Sequence, residues 1–268
     1  VVCVRIEMFK FVANLSLLFN EVPFMERFSA ARKAGFSYVE FMFPYDYKTE
    51  EIKEELKKND LKLILFNLPA GDWDKGDRGI AVDPSRKKEF IDGVKKAVDT
   101  ASELGVPKIN CLMGNKCTTF PEKEVRKNLV ENLRYAADEL GKNNIKLLIE
   151  AVNHVNMPNF NIHKVKDAMK LISEVDNPNI FLQYDVYHAA KEMEDQRFIL
   201  ENYLDKIDHI QVADNPDRHQ PGTGDIDYKY IFDFIKNSNY KGYISMEYVP
   251  EPDTLTSLKW LDKFGFKL

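Results

Sequence analysis

Residues 61–67, LKLILFN, residues 83–105, DPSRKKEFIDGVKKAVDTASELG, and residues 107–114, PKINCLMG, decide the fold. The first and last runs are short, apolar and bounded by turn residues, as buried strands are. Between them lies one helix with both ends written into the chain. Asp83 is a plausible N-cap and Pro84 stands at the first helical position. Phe90, Ile91, Val94, Ala97, Val98 and Ala101 recur at helical spacing, and Gly105 ends the run. Strand, helix, strand in close succession implies parallel strands joined by a crossover helix.

The same alternation extends in both directions. Towards the N-terminus stand FKFVANLS with a helix over residues 23–34, stopped by Gly35, and YVEFMF with a helix over 49–59. After PKINCLMG comes a helix carrying Val125, Leu129, Leu133, Ala136 and Leu140, ended by Gly141. IKLLIEAVN, NIFLQYD, IDHIQVAD and GYISMEY follow, with helices over about 164–175, 190–202, 228–237 and 254–264. Eight units in one α/β chain of 268 residues predict a single (β/α)8 barrel over residues 1–268. Residues 1–7 would be an N-terminal extension ahead of Met8. No GxGxxG follows any strand, so a dinucleotide-binding open sheet lacks its fingerprint.

Composition narrows the function classes. A net charge of -5 disfavours a nucleic-acid surface, which carries a basic excess. No apolar run reaches about 18 residues, so no membrane span is expected. VVCVRIE is too short for a secretory signal. Three cysteines, Cys3, Cys111 and Cys117, form no CxxC pair and fit a reducing, cytoplasmic setting. Cys111 follows the fourth strand without an evident histidine partner, against a thiol nucleophile.

In this architecture catalytic groups stand at the C-terminal ends of strands. Four successive strands end in an oxygen donor: Glu150, Asp185, Gln211 and Glu247. Three carboxylates converging on one barrel mouth would repel one another, and a divalent cation relieves this. The donors are hard, so Mg²⁺ or Mn²⁺ is expected. His188, three residues after Asp185, and Arg218, in ADNPDRHQPGTG, are candidates to bind an anionic or hydroxylated substrate. Asn67 opens NLPAGDW (67–73), read as a lid or pocket wall and as a further substrate contact. FMFPYDY (41–47) adds aromatic surface at the same end. His209 shares a strand face with Gln211 and reads as a barrel-core histidine. His154, His163 and His219 have no distinctive spacing.

The segments ANLSLLF, VEFMFPYDY, NLPAGDW, RGIA, KINCLMG, LVENLRYAA, QYDVYH, QVADNPDRHQPGTG and MEY resemble the hydroxypyruvate isomerase family, within the xylose isomerase-like TIM barrels. The resemblance runs over residues 8–260. It implies that Glu150, Asp185, Gln211 and Glu247 hold the metal, and that Glu150 and Glu247 are the proton donor and acceptor. It implies substrate contacts for His188 and Arg218, by likeness to related barrel epimerases. The implied reaction interconverts hydroxypyruvate and 2-hydroxy-3-oxopropanoate through an enediolate, with a small hydroxy-carbonyl acid as partner. A homo-oligomer stays open. The nearest rival is a 2-oxo-tetronate isomerase. A sugar epimerase, a metal-dependent abasic-site endonuclease and an inactive binding barrel stand further off. Two departures bear on specificity. Phe66 replaces a residue that is often His in the family, and Asn156 stands where related sugar epimerases carry a Glu.

Overall fold

Each predicted strand run becomes one strand of a closed parallel barrel in the computed structural model, which describes residues 9–268. The expected extension at residues 1–7 lies outside the described residues. The strands are β1 (Lys10–Asn14), β2 (Tyr38–Glu40), β3 (Lys62–Asn67), β4 (Lys108–Cys111), β5 (Lys146–Ile149), β6 (Ile180–Asp185), β7 (Ile207–Val212) and β8 (Tyr243–Met246). They pair in sequence order, and β1 closes on β8 through the register Lys10↔Tyr243 to Ala13↔Met246.

The helices are α1 (Phe24–Lys33), α2 (Thr49–Lys58), α3 (Lys87–Leu104), α4 (Glu122–Gly141), α5 (Val165–Val175), α6 (Val186–Lys191), α7 (Gln196–Tyr203), α8 (Tyr228–Asn237), α9 (Thr254–Ser257) and α10 (Trp260–Lys263). In α3 the residues Phe90, Val94, Ala97 and Ala101 are buried, one stripe of the predicted helix. Asp83 caps the short 3₁₀ turn before it by accepting from the Ser85 amide at 2.9 Å. Gly105 ends it at φ 68, a left-handed value that costs glycine nothing. No helix of the described residues is long and apolar enough to cross a membrane.

Three elements depart from expectation. The second strand stops at Glu40 rather than Phe43. The sixth helix, expected over residues 190–202, is two helices. Asp185 caps α6 directly at the end of β6, the chain breaks with Met193 at φ 55, and Asp195 caps α7 through the Arg197 and Phe198 amides. The closing helix over 254–264 is likewise split into α9 and α10. Neither break carries a glycine or proline to announce it.

Strand alternation divides the apolar residues into two clusters. Residues such as Phe11, Val39, Ile109, Leu147, Leu182, Ile210 and Ile244 pack outwards with the helices into the main core. Val12, Ile64, Leu65 and Leu148 form a separate small cluster with Tyr38, Phe181 and Tyr243 packed against it. The remaining buried interior positions are polar. They form the site.

Candidate active site

One polar side chain from the C-terminal part of each strand points into the barrel, and these side chains are hydrogen-bonded to one another. Asn14 Nδ2 donates to Glu40 Oε1 at 2.9 Å and to Glu247 Oε2 at 3.0 Å. Gln211 Nε2 donates to the same two carboxylates, to Glu40 Oε1 at 2.9 Å and to Glu247 Oε2. Gln183 Nε2 donates to Gln211 Oε1 and to Glu150 Oε2, both at 2.9 Å. Asn110 Nδ2 donates to Glu150 Oε1 and to Asn67 Oδ1, both at 3.1 Å. The chain therefore runs from Asn67 through Asn110, Glu150, Gln183, Gln211 and Glu247 to Asn14 and Glu40. An amide NH₂ donates at every link, to a carboxylate or to the Asn67 or Gln211 amide oxygen, so the network fixes which oxygens are held and which face the cavity.

Six of the seven predicted site residues, Asn67, Glu150, His188, Gln211, Arg218 and Glu247, line one narrow cavity of about 60 Å³. Asp185 lies beside it. Its Oδ1 accepts from the Tyr187 amide at 2.9 Å and the His188 amide at 3.3 Å, so it caps α6 and aims His188. Its Oδ2 is buried, has no hydrogen-bond partner, and lies 3.5 Å from His188 Nε2 and 3.6 Å from Arg218. Arg218 sits at φ 62 in the loop after β7. It donates to Glu247 Oε1 at 2.7 Å with its guanidinium 5.2 Å from the Tyr187 ring centre. The predicted substrate cation is thus paired with site carboxylates.

Burial and like charge set the protonation of the site. Burial, then the Asp185 charge, pushes Glu150 up to about 7. Burial also drives Glu247 well above the usual carboxylate range, although the Arg218 charge opposes it. Burial lowers His188 to about 4 against the pull of Asp185, so its ring is neutral at neutral pH. Asn153 holds His188 Nδ1 at 2.6 Å and also donates to Asn156 at 2.8 Å. Asn156 accepts from the Tyr187 hydroxyl at 3.1 Å and lines the cavity, so an amide stands where related epimerases carry a carboxylate.

NLPAGDW supplies part of the wall. Trp73 lines the cavity, packs 5.3 Å from Phe43 and lies beneath the Arg78 guanidinium at 4.0 Å. Gly79 of RGIA brings that loop against β4. A Cβ there would meet the Leu112 carbonyl oxygen at 1.8 Å, and its φ is +105. Phe66, expected to influence the pocket, does not line it. It points to the opposite face of β3 from Leu65 and Asn67 and packs 6.0 Å from Tyr45. The reason is strand alternation. His209 is fully buried in the barrel, as expected, with Nε2 on Glu40 Oε2 at 2.7 Å. Cys111 is buried and its thiol is pushed up to about 12, which suits no nucleophile.

Asn14, Glu40, Asn110 and Gln183 were missed by sequence reasoning. Their signal was present: each is a polar residue at or near the C-terminal end of a mostly apolar strand, in KFVAN, YVE, KINC and IFLQYD.

The donor set has the chemistry for a hard divalent cation. The Asp185 Oδ2 is buried without a hydrogen-bond partner, which leaves one hard oxygen donor free beside the two glutamates. Among the described residues no three acidic, imidazole or thiol groups stand close enough to ligate an ion by themselves. The fourth donor would be the Gln211 amide oxygen, and the positive charge at this place is that of Arg218.

Comparison with known proteins agrees with this geometry. The family model described as xylose isomerase-like TIM barrel matches residues 28–264. The hydroxypyruvate isomerase of Escherichia coli K12 is 48% identical over 96% of this chain and 100% of that protein. The 2-oxo-tetronate isomerase of Haemophilus influenzae is 38% identical over 95% of this chain and 99% of its own. Among solved structures, an AP endonuclease, family 2, from Brucella melitensis superposes with a TM-score of 0.92 at 39% identity, covering 96% of this chain and 99% of that one. The chain therefore belongs to the hydroxypyruvate isomerase family of xylose isomerase-like TIM barrels and is an isomerase.

Proposed function

We propose that this isomerase interconverts hydroxypyruvate and 2-hydroxy-3-oxopropanoate by moving a proton between C3 and C2 with Glu150 and Glu247. The observation that carries this reading is that two buried carboxylates, both held above their usual range, face one small cavity. Such a pair suits one group acting as base and the other as acid near neutral pH. Removal of a C3 proton from hydroxypyruvate leaves an enediolate. Protonation at C2 from the other glutamate, with loss of the C3 hydroxyl proton and gain of one at the C2 oxygen, gives the aldehyde product.

The residues divide the remaining work. Arg218 offers a fixed cation for the substrate carboxylate, with bidentate geometry available to it. Neutral His188, aimed by Asp185 and Asn153, donates or accepts a hydrogen bond without adding charge. Trp73 and its loop exclude water from the reacting carbons. Glu150, Asp185, Gln211 and Glu247 would hold Mg²⁺ or Mn²⁺, and the chemistry supplied there is Lewis-acid stabilisation of negative charge on the substrate oxygens.

The small cavity favours a short acid. It is narrow and lined by polar side chains, as a short hydroxy-acid requires. The higher identity to the hydroxypyruvate isomerase also supports the three-carbon acid over the 2-oxo-tetronates. A net charge of -5 and a narrow polar cavity favour a small metabolite over DNA, and the composition fits a cytoplasmic protein. The test is a substrate panel, with Glu150→Gln and Glu247→Gln followed by NMR in D₂O. Each variant should lose roughly 10²–10⁴ in isomerisation rate, since an amide is no base. Near wild-type turnover by both variants would leave the two residues without a role in proton transfer.

A further inference from the structure

Beneath Glu247 lies a second glutamate that sequence reasoning did not single out. Glu40 ends β2, is completely buried, and does not line the cavity. Its Oε2 is anchored by His209 Nε2 at 2.7 Å. Its Oε1 accepts one proton from each of two amides, Asn14 and Gln211. Each of those amides gives its other proton to the same atom, Glu247 Oε2.

An amide can present either its NH₂ or its oxygen to a neighbour, and a half-turn exchanges the two at little intrinsic cost. The Glu40 carboxylate accepts and never donates here, so it selects the NH₂ end of both Asn14 and Gln211. That choice has two consequences. Glu247 Oε2 is held between two donors, which leaves Oε1 as the oxygen on the Arg218 side. The Gln211 oxygen is turned the other way, towards Gln183, which bonds Glu150. One buried carboxylate therefore orients both halves of the acid–base pair through three amides.

We infer that Glu40, anchored by His209, is a positioning residue that sets which oxygen of Glu247 faces the substrate, acting through the Asn14 and Gln211 amides. This rests on Glu247 being a proton-transfer group, as proposed above. Glu40→Gln keeps the volume but brings an NH₂ that can face Asn14 and Gln211, releasing both amides to reverse. Proton transfer is steep in distance, so kcat for hydroxypyruvate should fall on the order of 10- to 100-fold. KM should stay within about twofold, because Glu40 touches no substrate. Asn14→Ala removes one bridging amide and serves as a second variant should Glu40→Gln fold poorly. It should lower kcat in the same way, and the pair combined should lose far less than the product of the single losses.

The measurements are kcat, KM and the melting temperature of the two variants and the double variant. Unchanged kcat in either folded single variant overturns the inference. So does a joint loss of kcat, rise in KM and drop in melting temperature, since that marks general loosening of the barrel. Multiplicative losses in the double variant also overturn it. A Glu247→Gln enzyme that stays active would instead fail the parent reading, so the two failures are told apart.

Discussion

Asp208→Asn should destabilise the barrel through a lysine that the substitution never touches. Lys108 is only 4% exposed inside the barrel, and Asp208 supplies its partner oxygen at 2.8 Å. The ammonium also donates to the Asp208 backbone carbonyl at 2.7 Å and lies 5.1 Å from the Tyr243 ring centre. Both survive in the variant, as does repulsion from Lys146. Breaking a buried pair at one partner costs about 3–5 kcal/mol. A ceiling follows from the lysine's ability to discharge: from an ordinary value of about 10.4, deprotonation at pH 7 costs about 4.6 kcal/mol. The lost contact between Asp208 and half-exposed Lys146 adds at most about 1 kcal/mol. With unfolding entropy near 2.1 cal/mol/K per residue over 268 residues, the melting temperature should drop by about 5–10 °C.

The pH dependence gives the sharper check. Burial already lowers the Lys108 pKa in the folded protein, against the pull of Asp208. Without the carboxylate it falls further. A lysine lowered on folding penalises the folded state below its folded pKa, and the penalty is relieved as pH rises towards the unfolded value. The deficit of Asp208→Asn should therefore shrink by up to about 1.4 kcal/mol per unit between pH 7 and 10. Asp208 itself works in the opposite range. Burial raises its carboxyl but the Lys108 charge wins and lowers it. Its contribution is complete above the unfolded carboxylate value and is lost as pH falls through the folded one. Urea midpoints at pH 7, 8, 9 and 10 read this directly, and Lys108→Met/Asp208→Asn should recover most of the loss. A deficit below about 1 kcal/mol at pH 7, or one that is flat with pH, refutes the reasoning.

Arg218→Met should damage turnover of hydroxypyruvate far more than any activity on neutral hydroxy-ketones; equal losses on both would mean that the residue only supports its loop and Glu247. Exhaustive chelation should abolish turnover and added Mn²⁺ or Mg²⁺ should restore it, with ion binding followed independently by calorimetry; full activity with no bound ion would remove the metal from the mechanism. Gly79→Ala should lower both stability and turnover, because its Cβ would force the Trp73 loop away from the Leu112 carbonyl; an unchanged melting curve would show that the contact is not needed.

The chain by itself determined the eight alternating units, the barrel and the row Glu150, Asp185, Gln211 and Glu247, because period and capping are local. LKLILFN is a buried strand whatever surrounds it, and Asp83 with Gly105 brackets its helix from within. The same local signals misled where a break carries no glycine or proline, as between α6 and α7. The identity of the strand-end donors was legible, but their partners were not. Glu40 was not singled out because its meaning comes from Asn14, Gln211 and His209, at least 26 residues away in sequence. Phe66 looked like pocket and lies on the outer face, since only the register of β3 in the closed barrel decides which side Asn67 takes. Arg218 was read as a substrate contact, and the tertiary structure also pairs it with Glu247. Hydrogen-bond direction, burial and the pKa shifts they cause depend on which strands become neighbours, and closure of β1 on β8 decides that.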